Sequence, residues 1–273
     1  MVSFKKALLG CVLAGVAAQS AFGAERDGAF VGVELGANKV KFKQELTYNM
    51  GQSIGGDIKA DNLMPSIAIK GGYKLFFNAQ RSFGARFYAQ VGVGHGRLTD
   101  VRYSEGLQGA IGSMVGAAGA GGGGGGAAQP AMIAAATSSV FPTTGKEYHT
   151  TFIDYFVGAD LLYNFAQRKA ATYGLYLGVG VGGVTWAANG KEYEVSNGER
   201  SYTNFAANAN FGLRLNVKDN HEIDLGVRTY FPRSKLFKAS NGSSPLAPGV
   251  AVADTKTYHY RPFSVLLSYV YSF

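Results

Sequence analysis

Reactive side chains are few and scattered along this sequence. His95, His149, His221 and His259 stand far apart, and no two share the close spacing that puts two imidazoles on one metal ion. His149, His221 and His259 fall near strand ends or loops, where solvated rings are expected, and His95 is expected to point outward near a rim. Gly178-Val179-Gly180-Val181-Gly182-Gly183 has the glycine density of a nucleotide loop, but its periodicity is that of a strand and no helix or acidic residue follows as that motif requires. No nucleophile elbow, catalytic residue, metal site or cofactor is expected.

Charge is more informative. Five acids, Glu34, Asp154, Asp160, Glu222 and Asp224, and five bases, Lys70, Lys74, Arg86, Arg214 and Arg228, all take the polar face of segments whose other face is apolar. Unpaired, such groups are costly to confine away from water, whereas paired and hydrogen-bonded ones are tolerated. They read either as an ion pathway or as a salt-bridged plug, and the plug is preferred.

The elements that position these charges are strands. Side chains alternate with period two in eight segments, near 27–36, 65–77, 84–97, 150–165, 172–186, 204–217, 221–231 and 260–273. Ala29, Val31, Val33 and Leu35, for example, oppose Gly28, Gly32, Glu34 and Gly36. Each segment has the roughly ten residues that a tilted membrane-crossing strand needs. The connections alternate: Asn78–Phe83, Ala166–Ala171 and Lys218–Asn220 are short, whereas Lys39–Asn62, Thr99–His149, Ala187–Thr203 and Pro232–Tyr258 are long. Short periplasmic turns and long extracellular loops produce that rhythm, with both chain ends periplasmic. Tyr73, Phe77, Tyr163, Phe165, Tyr173, Tyr271 and Phe273 fall on apolar-face positions near the short turns, as an interfacial aromatic girdle should. The fold class expected is all-β: a transmembrane antiparallel up-and-down barrel of eight strands. A soluble sandwich would alternate too, but would not explain the connections or the girdle.

The chain begins with Lys5 and Lys6, an apolar run from Ala7 to Ala18, and Ala21-Phe22-Gly23 as a small-residue cleavage site, so residues 1–23 read as a secretory signal and 24–273 as the barrel. Leu8-Leu9-Gly10-Cys11 has the letters of a lipoprotein box, but only four residues would separate it from the lysines. Loss of Cys11 with the signal leaves a mature chain without cysteine. The formal charge of +8 becomes +6 without Lys5 and Lys6, a modest excess with no dense basic run of the nucleic-acid-binding kind. Within 99–149 lies an uncharged Gly/Ala-rich stretch with six consecutive glycines, Gly121 to Gly126, expected to be a flexible extracellular loop.

DGAFVGVELG, GGYKLFFNAQRSFGARFYAQVGVGHG, DLLYNF, YGLYLGVGVGGVTW, NFGLRLNV, HEIDLGVRTYF and the closing RPFSVLLSYVYSF form an ordered series. Together they resemble the barrel domain of the Helicobacter-type (Hop-related) outer-membrane protein superfamily. The resemblance implies a surface-exposed barrel of the Gram-negative outer membrane; members act as porins or as adhesins for host glycans or receptors. The large head of the adhesins and its cysteine pairs are missing here, and no binding residues carry over.

Three partner sets follow. Outer-membrane lipid faces the apolar wall. The barrel-assembly machinery is expected to read Tyr269, Tyr271 and Phe273, the outward series that ends the chain. A basic rim of Lys39, Lys41, Lys43, Lys59, Arg233, Lys235, Lys238 and Lys256 is expected where the first and last long loops meet, to bind lipopolysaccharide phosphates or acidic glycans. Nucleic acid is excluded as a partner. The expected role is structural or surface-interaction, with adhesion included; the rival is a small porin-like pore, and a distant third reading is an outer-membrane enzyme acting on lipid A.

Overall fold

The computed structural model describes residues 25–49, 53–99, 101–105, 109, 148–168, 171–188, 201–218, 220–232, 234–243 and 251–273. The expected signal segment, most of the glycine-rich stretch and Arg233 lie outside the described residues. Among the described residues ten strands form: β1 (Gly28–Asn49), β2 (Ser53–Phe76), β3 (Phe83–Leu98), β4 (Arg102–Tyr103), β5 (Tyr148–Arg168), β6 (Ala171–Ala188), β7 (Ser201–Val217), β8 (His221–Phe231), β9 (Ser234–Ser243) and β10 (Ala251–Ser272). Eight of them close an antiparallel ring in the order β1, β2, β3, β5, β6, β7, β8, β10, sealed by pairing of β10 with β1. Closure satisfies the backbone hydrogen bonds that an open sheet would leave bare.

Across the apolar band the expected faces are those observed. Val31, Leu35, Ile67, Ile69, Val91, Val157, Leu177, Val179, Leu225 and Leu267 are exposed on the outer wall, and Glu34, Lys70, Arg86, Asp160 and Arg214 are buried inside. The short turns are locally specified. Between β2 and β3, the Phe77 amide donates to Phe83 O at 2.9 Å and the Ser82 amide to Asn78 Oδ1 at 2.9 Å, with Arg81 in the left-handed region at φ 52°.

Two expectations need correction at the opposite end. Lys39–Asn62 and Pro232–Tyr258 are not loops over most of their length. β1 and β2 stay paired from Gly28↔Lys74 to Asn49↔Ser53, and β10 runs back to Ala251 between β1 and β9. With β4 on the far side of β2, these strands raise a wall on one side of the barrel. They escaped the sequence reading because their outward face is polar and charged, so the alternation of an ordinary membrane strand is lost.

Register also shifts within β10. Lys39 pairs with Phe263 but Lys41 with Tyr260, so β10 carries one more residue than β1 across this step. Pro262 sits in the bulge, where a residue without an amide proton breaks no ladder bond. Its carbonyl accepts from Thr229 Oγ1 at 2.8 Å. The bulge swaps the faces: Phe263 and Val265 point outward below it, whereas His259 and Arg261 point inward above it.

Inward glycines make room for large groups. A Cβ on Gly158 would meet the Tyr88 ring at 2.6 Å, and one on Gly212 would meet the Tyr176 ring at 2.6 Å. Gly158→Val is therefore expected to cost about 1–3 kcal/mol through overpacking. Urea denaturation of the refolded protein checks this; an unchanged midpoint would show that Tyr88 moves aside freely.

Candidate functional site: the lumen and the tall wall

The interior is filled in two layers. Toward the short turns it holds the charge network. Arg86 is the hub: its Nε donates to Asp160 Oδ2 at 2.9 Å, and its Nη1 to Glu222 Oε1 at 2.6 Å and Asp224 Oδ2 at 2.8 Å. Lys74 donates to Glu222 at 2.8 Å and Arg214 to the same carboxylate oxygen at 2.6 Å. Lys70 lies 3.5 Å from Asp224 and 3.7 Å from Glu34. Arg228 forks onto both oxygens of Glu34 at 2.8 and 3.1 Å, and Gln90 donates to Glu34 at 3.0 Å. Nine of the ten expected charges thus form one connected cluster. Asp154, the tenth, pairs instead with Arg261 at 2.7 Å.

Two members were missed. Glu25 precedes β1, where no strand pattern marks a residue as inward. It closes the short-turn mouth by accepting from Lys74 at 2.6 Å, from Asn164 at 3.1 Å and from Arg214. Arg261 was missed because the bulge at Pro262 reverses the faces. Its guanidinium lies 4.1 Å from the centroid of Phe152 and 3.8 Å from that of Tyr230. The twelve charges still balance, six acids against six bases: Glu25, Glu34, Asp154, Asp160, Glu222 and Asp224 face Lys70, Lys74, Arg86, Arg214, Arg228 and Arg261.

Beyond the network the interior turns apolar. Val40, Phe42, Ile58, Met64, Leu98, Phe152 and Trp186 are buried together, below which Asn38 bridges Met64 O at 3.0 Å and Ser66 Oγ at 2.8 Å. Paired charges are therefore only part of the filling. His259, expected to be solvated, is fully buried: it stacks on Trp186 at 4.9 Å and meets Phe42 edge-on at 5.2 Å. It lies above the apolar outer band, and burial pushes its imidazole pKa down to about 3, so it stays neutral. His95 is exposed as expected and bonds Thr151 Oγ1 at 2.8 Å; His221 is exposed and bonds the Tyr269 hydroxyl at 2.7 Å.

Gly51-Gln52-Ser53-Ile54-Gly55 does carry the letters of the nucleophile-elbow motif, contrary to expectation. Ser53, however, opens β2 across from Asn49 in a β-hairpin, whereas an elbow needs a strand-to-helix turn.

On the tall wall, Lys39, Lys41, Lys43 and Lys59 face outward. Acids share that face: Lys39 pairs with Asp61 at 3.0 Å, Lys43 with Glu45 at 2.8 Å and Lys59 with Asp57 at 3.0 Å. The hydrogen bond that Lys43 donates to Glu45 raises the Lys43 pKa and keeps its charge. Lys256 stands opposite Glu45 in the register, and Lys235 and Lys238 occupy backbone positions on β9. A cleft of about 430 Å³ opens among Lys41, Lys43, Lys59, Arg102, Tyr258 and Tyr260, beside Glu45 and Asp61.

At the chain end, Phe273 is exposed and its amide donates to Ala29 O at 2.9 Å, while the Ser272 amide reaches Asn220 O at 2.8 Å. Tyr269 also faces outward, and Tyr271 meets Phe273 edge-on at 5.4 Å.

Three solved outer-membrane proteins are similar to this chain. The solid-state NMR structure of the outer membrane protein AlkL is 18% identical with a TM-score of 0.41, covering 94% of this chain and 95% of its own. OprG from Pseudomonas aeruginosa is 14% identical with a TM-score of 0.46, covering 92% and 98%. Neisserial surface protein A is 13% identical with a TM-score of 0.35, covering 90% and 97%. No curated protein matches the sequence. The family model described as Helicobacter outer membrane protein matches residues 68–273, and the chain belongs to that family of Gram-negative outer-membrane barrels.

Proposed function

We propose that this barrel does not conduct, and that it acts as a structural or surface-interaction protein through its outer end. The short turns and both chain ends are periplasmic in this reading, and the tall wall stands outside the cell. The carrying observation is the filled interior: Glu25 at one mouth, the Arg86-centred cluster in the middle, and Phe42, Phe152, Trp186 and Arg261 toward the other mouth are all buried. An eight-stranded ring is just wide enough for its own side chains, whereas open porins use about 16–18 strands. Host glycans or receptors, if bound, meet the wall and not the lumen. No residue set arranged for turnover stands out among the described residues, which favours binding over catalysis. In planar bilayers the purified protein should give rare, small or no conductance steps. Stable openings of porin size at low protein concentration would overturn the reading and install the rival, a small transport pore.

A further inference from the structure

We propose that the cleft on the tall wall is a lateral binding site for the phosphate-bearing saccharide headgroup of an outer-leaflet glycolipid. This rests on the reading that the tall wall is extracellular, and it goes beyond it by fixing the ligand and its direction of approach.

Height carries the first part of the argument. Three neighbouring strands leave the apolar band at one level. Outward residues of β1 run Val31, Val33, Leu35, Ala37 and then Lys39 and Lys41; those of β2 end their apolar series at Leu63 before Asp61 and Lys59; those of β10 end theirs at Phe263 before Tyr260 and Tyr258. The register aligns these changes, with Lys39 opposite both Leu63 and Phe263, and Lys41 opposite both Asp61 and Tyr260. Lys41 is thus two residues, about 7 Å along the strand, above the last apolar row. Headgroup phosphates lie at that depth. A soluble polymer arriving from outside would meet the hairpin tips first.

Chemistry carries the second part. The cleft has four cations, Lys41, Lys43, Lys59 and Arg102, against two acids, Glu45 and Asp61. Among the described residues Lys41 forms no ion pair, while Lys43 and Lys59 are each held by a single carboxylate. Ammonium groups beside phosphate make strong charge-assisted hydrogen bonds. Tyr258 and Tyr260 add aromatic surface beside those cations, a combination that suits a phosphorylated sugar better than a bare anion. A volume of about 430 Å³ takes a phosphorylated sugar unit comfortably. The cleft opens sideways from the barrel wall, toward the plane in which such headgroups are anchored.

The test uses the full-length refolded protein and four probes: lipopolysaccharide, the same lipopolysaccharide after phosphatase treatment, inorganic phosphate, and a soluble sulfated glycan. Intact lipopolysaccharide should bind at least roughly tenfold more tightly than the dephosphorylated form, and more weakly as salt rises. The triple variant Lys41→Gln, Lys43→Gln, Lys59→Gln should lose most of that preference, with heat-modifiable gel mobility as the check that it still folds. Equal binding of the two lipopolysaccharide forms by the unaltered protein would defeat the proposal whatever the variant does. So would a soluble glycan or inorganic phosphate that competes as well as the lipid, because the site would then face a soluble anion. Orientation is read separately, by labelling of a Lys59→Cys variant on intact cells, so failure of the extracellular reading leaves a different signature.

Discussion

Replacing Glu222 by alanine is expected to remove about 3–5 kcal/mol of unfolding free energy, the scale on which buried ion pairs respond to loss of one partner. Glu222 is fully buried and accepts from Lys74, Arg86 and Arg214, which come from β2, β3 and β7. Its loss leaves three cations around a site that water cannot readily enter. Glu25, Asp160 and Asp224 remain nearby, but each is already engaged. Urea unfolding read by heat-modifiable electrophoresis measures the effect. Lys59→Gln on the exposed wall is the control, expected within about 0.5 kcal/mol of the parent. A Glu222→Ala midpoint as close to the parent as that control's would mean that the cluster contributes nothing net to stability.

Deleting Phe273, or changing Tyr271 and Phe273 together to Asp, is expected to abolish most outer-membrane accumulation. The deletion removes only one backbone bond, from the Phe273 amide to Ala29 O, and an exposed ring. Charge on the lipid face costs several kcal/mol at mid-depth but little near an interface, where these residues sit. A large fall in membrane level therefore has to come from recognition during insertion. The discriminating measurement pairs membrane levels in cells with refolding yield in detergent. Normal refolding with poor accumulation supports a role for Tyr269, Tyr271 and Phe273 as an assembly signal; unchanged levels and mobility would rule that role out.

Wherever outer-wall residues meet hydrocarbon, the sequence was transparent. One face of each such strand must be apolar, so period-two alternation assigned Glu34, Lys70, Arg86, Asp160, Arg214, Glu222 and Asp224 to the interior, and all of them are there. It became opaque where that constraint ends. Above Lys39 both faces change character: Phe42, Ile58 and Trp186 go inside and lysines outside, so the extensions of β1, β2 and β10 looked like loops. His259, expected to be solvated near a strand end, and Arg261, left unassigned, both turn inward for a narrower reason: counting back from Phe263 by twos would put them outside, and only the extra residue at Pro262 reverses that. A proline within an otherwise regular strand was the available signal. Glu25 lay ahead of any periodic segment, and its partners are revealed only by closure.

That last residue bears on the curling of the sheet. Lys74, Asn164 and Arg214, which hold Glu25, belong to β2, β5 and β7. On a sheet not yet curled these strands stand apart, with β3 between the first two and β6 between the last two. They converge on one carboxylate only when the sheet curls. Glu25 therefore gathers its full set of partners through curvature, although the peptide ahead of β1 already touches the neighbouring strand through Asp27, whose Oδ1 accepts from the Phe76 amide at 2.7 Å. Burial of the Glu25 carboxylate consequently reports bending of the wall into a cylinder, beyond the pairing of its strands.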